Sequence, residues 1–428
     1  MSGADASTIF ALSSGSPPAA IAIVRISGPA ARDALVAMVG RVPKPRAATV
    51  AWLRDPASGE RLDRALVLSF PGPGSATGED LAELHLHGGR AVVAAVSAAL
   101  EGIPGLRPAE AGEFTRRAFL NGRIDLAEAE GLADLLLAET EGQRRAAMTL
   151  AGGSMSRKVA EWQHALLGLA AQVEALLDFS DEGDVDVSVS PDWVAALDRL
   201  MLDIEKWLCL PASERLRDGV KVVIAGPPNA GKSTLLNALV GREAAITSAV
   251  PGTTRDIIEA PTAIGGIPFL LVDTAGLRDS DDPVEEIGVE RGRAVAEAAD
   301  ILLWLGDAAD APAGEATIVV RAKADVADSA PGISVSALTG EGLQDLIGVV
   351  QQKASRLVPH VAEGAINRRH RSLLRVVRDH LREAEKEGDP LLRAENLRLA
   401  RVALDEVTGR AGVERMLDHL FGSFCIGK

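Results

Sequence analysis

The sequence predicts a multidomain protein: an N-terminal α+β domain, an all-α helical domain, and an α/β domain inserted into the helical one. Three observations predict it. The 428 residues are 47% hydrophobic and 25% charged, an ordinary globular balance with length for about two or three domains. Apolar residues recur at helical spacing in two separated stretches, 120–214 and 361–428. Between them, residues 215–360 alternate short apolar runs with helical segments, the pattern of a parallel sheet. Inserted domains need close termini, so one helical domain interrupted by 215–360 is the economical arrangement, with 1–119 as the N-terminal domain.

The elements follow in order. Ala19–Ile26 reads as a buried strand stopped by Ser27-Gly28-Pro29, and Ala65–Phe70 as a second closed by Pro71-Gly72-Pro73-Gly74. Leu81–Leu86 alternates weakly as a third strand, and the Ala/Val-rich Ala91–Leu100 reads as a helix. Leu126–Thr140, Trp162–Leu177 and Trp193–Leu208 read as helices, with an acidic break over 178–186. Val220–Ala225 is a strand that runs through a Gly-rich turn into a helix at Lys232–Val240. Phe269–Val272, Ile301–Leu305, Thr317–Val320 and Ile333–Val335 are further strands, separated by helices that include Gly288–Ala299 and Leu343–Arg356. Residues 361–428 are helical, ending in FGSFCIGK.

Composition narrows the function classes. A net charge of -15 argues against a global nucleic-acid-binding surface, so such contact needs a local patch or a partner. The absence of tyrosine and an aromatic content of 3% weaken any base-stacking platform. Two cysteines, Cys209 and Cys425, exclude a disulfide framework and point to a reducing compartment. The first positive charge is Arg25, which leaves no basic leader, and no apolar run approaches the roughly 20 residues of a membrane span. A cytoplasmic protein with no membrane contact is expected.

The strongest chemical signal is Gly226-Pro-Pro-Asn-Ala-Gly-Lys-Ser233, a GxxxxGK[ST] motif placed between a strand and a helix. Its backbone N–H groups and the helix N-terminus suit phosphates. Lys232 is placed for the β- and γ-phosphates and Ser233 for Mg²⁺. Asp273-Thr-Ala-Gly276 follows a strand, where the Asp can hold Mg²⁺ through water and Gly276 can offer its N–H to the γ-phosphate. Gly252-Thr253-Thr254-Arg255-Asp256 lies between the two, as a switch loop whose Thr completes the Mg²⁺ shell. Base choice rests on Ala322-Lys323-Ala324-Asp325 and Ser336-Ala337-Leu338. Asp325 can accept both guanine N–H groups and Lys323 can pack over the base. Position 322, where GTPases of this class place Asn, is Ala, so guanine selectivity with reduced affinity is expected. Leu277 stands where many small GTPases place the water-orienting Gln, and no arginine finger is identifiable. Oxygens of Asn229 and of the 248–253 loop suit a monovalent cation at the position of a finger's charge; the alternative is that Asn229 only braces the loop.

GPPNAGKST, PGTTRD and DTAGLR resemble the TrmE–Era–EngA branch of bacterial GTPases. PGPGSATGEDLAELHLHGG (71–89), AGEFTRRAFLNGRIDL (111–126) and the terminal FCIGK resemble the MnmE (TrmE) family of tRNA uridine-modifying GTPases, over essentially the whole chain. The resemblance implies an N-terminal domain that binds a 5-formyl- or methylene-tetrahydrofolate donor and dimerises. It implies a helical domain carrying a P-loop GTPase domain that is activated by potassium-dependent dimerisation. It also implies an FAD-dependent partner, MnmG (GidA), forming a heterotetramer that installs aminomethyl or carboxymethylaminomethyl groups on C5 of the wobble uridine of certain tRNAs.

The residues carried over by motif are these. Folate falls to Arg25, Glu83, Arg123 and Lys428, where Arg123 stands at a position often Lys in relatives. The nucleotide falls to Asn229, Ala230, Gly231, Lys232, Ser233 and Thr234, then to Ser248, Ala249, Val250, Pro251, Gly252, Thr253 and Thr254. Asp273, Thr274, Ala275 and Gly276 follow, with Lys323, Asp325, Ser336, Ala337 and Leu338 around the base. Mg²⁺ is assigned to Ser233 and Thr254, and K⁺ to Asn229, Ser248, Val250 and Thr253. The catalytic set is Glu285, Lys232, Asn229 and Cys425. Glu285 matches an acidic residue that organises the attacking water, and a solvated helix-start charge is its alternative, since Asp279, Asp281, Asp282 and Glu286 crowd the same stretch.

Other residues stay open. Cys425 is a thiolate nucleophile if positive charge is near and otherwise a small buried hydrophobe; Cys209 is expected to be structural. His85 and His87 lack further ligands and are expected to pack or hydrogen-bond. Arg368, Arg369, Arg371, Arg375, Arg378 and Arg382 form either a solvated helix face or a tRNA phosphate stripe. Two other functions fit the nucleotide motifs alone, a ribosome-assembly GTPase switch and an unrelated P-loop ATPase.

Overall fold

The computed structural model describes residues 7–178, 189–210, 214–242, 258–273, 299–324, 332–358, 366–410, 420–422, 424 and 427. Its contacts divide the chain into two compact units, Met1–Ala133 with Thr408–Lys428, and Asp134–Val407.

The first unit is built on a six-stranded sheet of β1 (Thr8–Leu12), β2 (Ile21–Ser27), β3 (Thr49–Arg54), β4 (Arg61–Phe70), β5 (Leu81–His87) and β6 (Leu106–Pro108), in the order β3-β4-β5-β2-β1-β6. All neighbours are antiparallel except β1 and β6. Strand alternation sorts the two faces. Ala22, Val24 and Ile26 of β2 join Val67, Leu84 and Leu86 in a core with Leu35 and Met38 of α1 (Ala31–Val39) and Val96 and Leu100 of α2 (Arg90–Glu101). Arg25, Ser27 and Glu83 take the opposite face. There α3 (Glu113–Leu120) sets Phe114 under the Arg25 guanidinium, 5.9 Å from ring centroid to Cζ. A second small core joins Leu126 and Ala129 of α4 (Leu126–Leu137) to Phe421 and Phe424.

Three strands and the helix predicted in this region are present with slightly different ends. Thr8–Leu12, Thr49–Arg54, Leu106–Pro108, α1 and α3 were not anticipated, being short or directly joined to the turn residues that drew attention. The helix expected over Leu126–Thr140 is present as α4 but ends earlier. It stops at Leu137, and Thr140 caps α5 (Glu141–Ala151), accepting from the Gln143 N–H while Gln143 accepts from the Thr140 N–H. This reciprocal capping box is a start signal, and it outcompetes the apolar period running through Thr140.

The second unit holds a second six-stranded sheet: β7 (Val220–Ala225), β8 (Ile258–Ile264), β9 (Ile267–Asp273), β10 (Ile301–Trp304), β11 (Thr317–Ala322) and β12 (Ile333–Val335), in the order β12-β11-β10-β7-β9-β8. It is parallel except for the β8–β9 hairpin, which corrects the all-parallel expectation. The hairpin's two-residue turn is Gly265-Gly266, both at positive φ, as such a turn requires. Leu235, Leu236 and Leu239 of α9 (Lys232–Arg242) and Leu346, Ile347 and Val350 of α10 (Leu343–Ala354) pack on the sheet. The helix expected over Gly288–Ala299 lies almost wholly outside the described residues.

The helical part comprises α6 (Ser154–Asp178), α7 (Pro191–Leu208), α11 (Arg368–Lys386) and α12 (Pro390–Thr408), besides the short α8 (Glu214–Arg217). Ser190 caps α7 with Pro191 at its first turn, a strong start. Much of the arginine stripe is consumed here. Arg371 donates to the Leu208 and Leu210 carbonyls at 2.6 and 2.7 Å, closing the C-terminus of α7. Arg369 donates to the Glu406 and Val407 carbonyls, and Arg378 and Arg382 face Glu205. The stripe is therefore largely a helix-to-helix clasp, while Arg368 and Arg375 remain exposed. No helix among the described residues is long and apolar enough to cross a membrane.

Candidate functional site

The phosphate-loop motif sits where the β7 strand ends and α9 begins, at the carboxyl edge of the parallel strands, the usual ligand position of such sheets. The loop crosses the chain after β10 so closely that a Cβ on Gly226 would lie 2.4 Å from the Leu305 carbonyl oxygen. Its φ of +145° adds a second reason for glycine. Asn229 holds a left-handed φ of +60° at the loop's crest. Lys232 is only 8% exposed, and its Nζ donates to the Gly226 and Pro227 carbonyls at 3.1 and 2.9 Å. The ammonium is thereby held inside the loop, where a phosphate chain would meet it.

Ser233 Oγ donates to Asp273 Oδ2 at 2.5 Å. Asp273 closes β9 and is 1% exposed. The hydroxyl and carboxylate are brought together by neighbouring parallel strands, since Ile224 of β7 pairs with Asp273. Such an oxygen pair suits a hard divalent cation beside phosphates, so Mg²⁺ fits these residues.

The residues expected around the base stand at the ends of β11 and β12. Ala322, the last residue of β11, has its methyl 3.8 Å from where a Gly231 Cβ would lie, beside the phosphate loop. Lys323 is left-handed at φ +63°, and its Nζ donates to the Asn229 carbonyl at 3.0 Å. The Ala324 N–H donates to the Val335 carbonyl, tying this turn to β12. Ser336 is fully buried; its N–H donates to the Glu341 carbonyl and its Oγ accepts from the Thr339 N–H. Leu338 is 83% exposed beside it. Thus Asn229–Thr234, Asp273, Lys323 and Ser336–Leu338 share one edge of the sheet. Ser248–Thr254, Thr274–Gly276, Glu285 and Asp325 lie outside the described residues, as do Cys425 and Lys428.

In the first unit, Arg25 and Glu83 face each other across β2 and β5, with Arg25 Nε and Nη2 donating to Glu83 Oε1 at 3.1 and 2.9 Å. His85 Nε2 lies 3.2 Å from the other Glu83 oxygen, and His87 Nδ1 lies 2.7 Å from Asp63, so both histidines are hydrogen-bonded as expected. Arg123 is exposed beyond α3, its N–H donating to the Ala118 carbonyl. Sequence reasoning missed the buried network on this face. Arg117 donates to Glu79 and Glu113, Arg107 donates to Glu113, and Ser27 Oγ donates to Glu79. Arg117 within FTRRAF and Glu79 within GEDLAE are the only members of the network that fall in those two strings, with Arg107 and Glu113 lying outside them. Burial pushes the Glu113 carboxyl up, but hydrogen bonds from Arg107, the Glu110 N–H and Arg117 outweigh it and hold it below the ordinary range. Cys209, expected to be structural, is exposed at the C-cap of α7, because it follows the last buried turn residue, Leu208.

Residues 8–123 match the family model of the GTP-binding protein TrmE N-terminus, and residues 126–425 match that of the MnmE helical domain. The chain belongs to the MnmE family. The tRNA modification GTPase MnmE of Rhizorhabdus wittichii is 59% identical over 431 aligned residues, covering 100% of this chain and 98% of that one. Those of Novosphingobium aromaticivorans and Erythrobacter litoralis are each 54% identical, covering 98% of this chain and 99% and 100% of theirs. The MnmE resemblance read from the motifs thus holds along the whole chain, and with it the layout of TrmE N-terminal, helical and P-loop GTPase domains.

Proposed function

We propose that this MnmE-family chain is a potassium-activated GTPase of tRNA wobble-uridine modification. The observation that supports it best is the Ser233–Asp273 pair beside the loop-held Lys232 ammonium, an arrangement suited to a magnesium-bound triphosphate. GTP and water become GDP and phosphate. Lys232 neutralises charge gathering on the β- and γ-phosphate oxygens, and Ser233 with Thr254 holds Mg²⁺. Asn229, Ser248, Val250 and Thr253 hold K⁺, which supplies positive charge at the bridge when bound. Glu285 orients the attacking water, and Asp325, Lys323 and Ser336–Leu338 select guanine.

In this reading the nucleotide domain spans 215–360, inserted between helical segments 120–214 and 361–428, with the N-terminal domain at 1–119. Arg25, Glu83, Arg123 and Lys428 bind a tetrahydrofolate one-carbon donor, and Cys425 stands near it. The chain acts in the cytoplasm as a homodimer, joined by an FAD-dependent partner of the MnmG kind in a heterotetramer that acts on tRNA. The test is GTP hydrolysis by the purified protein in potassium chloride and in sodium chloride, with ATP as control. Potassium-dependent, GTP-selective turnover is expected; equal rates in both salts overturn the cation mechanism, and equal ATP turnover overturns the guanine reading.

A further inference from the structure

One stretch of the first unit departs from the acidity of the whole. The chain carries a net charge of -15. Residues 41–64 nevertheless hold Arg41, Lys44, Arg46, Arg54, Arg61 and Arg64 against Asp55, Glu60 and Asp63, and all of these cations are exposed. Within the stretch, β3 is an edge strand of the sheet. Its Leu53 enters the core with Ala65 and Val67 of β4, so Trp52 and its cross-strand partner Arg64 take the opposite face. That is also the face of Arg25 and Glu83. Trp52 is left 43% exposed on it.

A register shift brings a second guanidinium to the ring. Leu53 pairs with Asp63 but Arg54 pairs with Arg61, so Leu62 is the extra residue of a bulge. Strict alternation would send Arg61 to the same face as Asp63. The bulge instead turns Leu62 against the core and Arg61 toward Trp52. The Arg61 and Arg64 guanidinium carbons lie 4.7 and 5.9 Å from the Trp52 ring centroid. The shift also sets Arg54 opposite Arg61, like charges that repel. Neighbouring carboxylates are spent elsewhere. Asp55 accepts from the Ala57 and Ser58 N–H groups and from Ser58 Oγ, and Asp63 accepts from the His87 and Arg64 N–H groups. Among the described residues, Arg54, Arg61 and Arg64 form no ion pair.

Charge on an edge strand is an ordinary defence against strand pairing, and either sign serves that purpose. Defence does not require an indole flanked by two guanidiniums, with a third arginine beside them and no acid partner. Those parts match an RNA strand. Phosphates answer the unpaired positive charge, and an unstacked base stacks on the indole or on a guanidinium plane. We propose that the outer face of β3 and β4, centred on Trp52, docks a single-stranded part of a tRNA, with Arg54, Arg61 and Arg64 on its phosphates. The tRNA in this statement rests on the proposed function; the patch rests on the geometry alone. Strand rise and spacing put Trp52 about 15 Å from Glu83 on the same face, so a strand held here leads toward the Arg25–Glu83 pair.

The test is tRNA binding by the full-length chain, read as the anisotropy of a fluorescein-labelled transcript with an unmodified wobble uridine, over a series of potassium chloride concentrations. The parent is compared with Trp52→Ala, with Trp52→Phe, with Arg61→Gln and Arg64→Gln together, and with Arg375→Gln on α11 as the rival surface. Melting temperature serves as the folding control and light scattering reports the oligomeric state. Trp52→Ala is expected to weaken binding about tenfold, the scale of one lost base stack, with the salt dependence unchanged, while Trp52→Phe keeps most of the affinity. The arginine pair is expected to lower the slope of log K against log salt by about 1.4–1.8, one phosphate contact for each arginine, and it tests the surface even where Trp52→Ala folds poorly. Parent affinity and parent slope in these variants overturn the surface, and a loss confined to Arg375→Gln moves the RNA to α11. A loss of affinity that accompanies a change of oligomeric state makes the face an interface between copies and overturns RNA docking. A parent protein that binds no tRNA overturns direct tRNA contact by this chain, and the surface with it.

Discussion

Single side chains decide the nucleotide chemistry. The Lys232 ammonium is already held by two loop carbonyls, so its charge is in place before any phosphate arrives. Lys232→Ala should lower GTP turnover by about 10²–10³-fold, the usual loss for one preorganised donor, in a steady-state phosphate-release assay. In the proposed guanine reading, Ala322 bears on affinity instead. Its methyl lies 3.8 Å from where a Gly231 Cβ would stand, a place where a carboxamide would add a polar group. Ala322→Asn should tighten GDP binding about five- to tenfold, the net worth of one hydrogen bond, and leave ADP binding unchanged, as read by fluorescent-nucleotide titration. Equal tightening of both nucleotides would remove position 322 from base selection. Much of this site could be read directly from residue order, because a phosphate loop is a local backbone device whose glycines and lysine are contiguous. The Ser233–Asp273 meeting could not, since it depends on β7 and β9 being neighbours across 40 positions of chain.

Elements show the same division between local and distant causes. Val220–Ala225, Ile333–Val335 and the long helices were readable because their apolar period is continuous. β3 and β6 were not, since edge strands bury little and carry mixed residues; Thr49–Arg54 buries only Leu53. The arginine run on α11 illustrates the limit best. Its spacing suggests an exposed basic stripe, yet Arg371 ends the α7 helix by taking the Leu208 and Leu210 carbonyls. Arg371→Ala should cost about 1.5–3 kcal/mol locally, as expected for charged hydrogen bonds. It should appear as faster amide exchange over Leu200–Leu208, with α9 unaffected. The buried Glu113 makes a pH-dependent claim about α3. Its folded carboxyl lies below the ordinary range, so its stabilisation is complete above the unfolded value of about 4.3 and fades as pH falls through the folded one. The gap in melting temperature between the parent and Glu113→Gln should therefore shrink as pH drops from 6 toward 3.5. A constant gap would mean that the network acts by shape rather than charge.

At the scale of the molecule, the chain leaves its first unit at Ala133 and returns to it at Thr408. The unit is completed by residues from both ends of the sequence. Leu126, Ala129, Phe421 and Phe424 form one core, with Phe119 and Leu132 packed against it. In a protein with only eight phenylalanines, two of them spent on this closure carry much of its apolar area. Phe421→Ala should cost about 3–5 kcal/mol through lost transfer energy and the cavity left behind. The loss belongs to the first unit, because no residue of this cluster lies in the nucleotide-binding sheet. Proteolysis of the variant should therefore open cleavage in residues 113–133 and release the tail early, while nucleotide binding at the Gly226–Ser233 loop keeps the parent affinity. If nucleotide affinity falls along with the N-terminal protection, the two units do not fold independently, and the closure is a property of the whole chain.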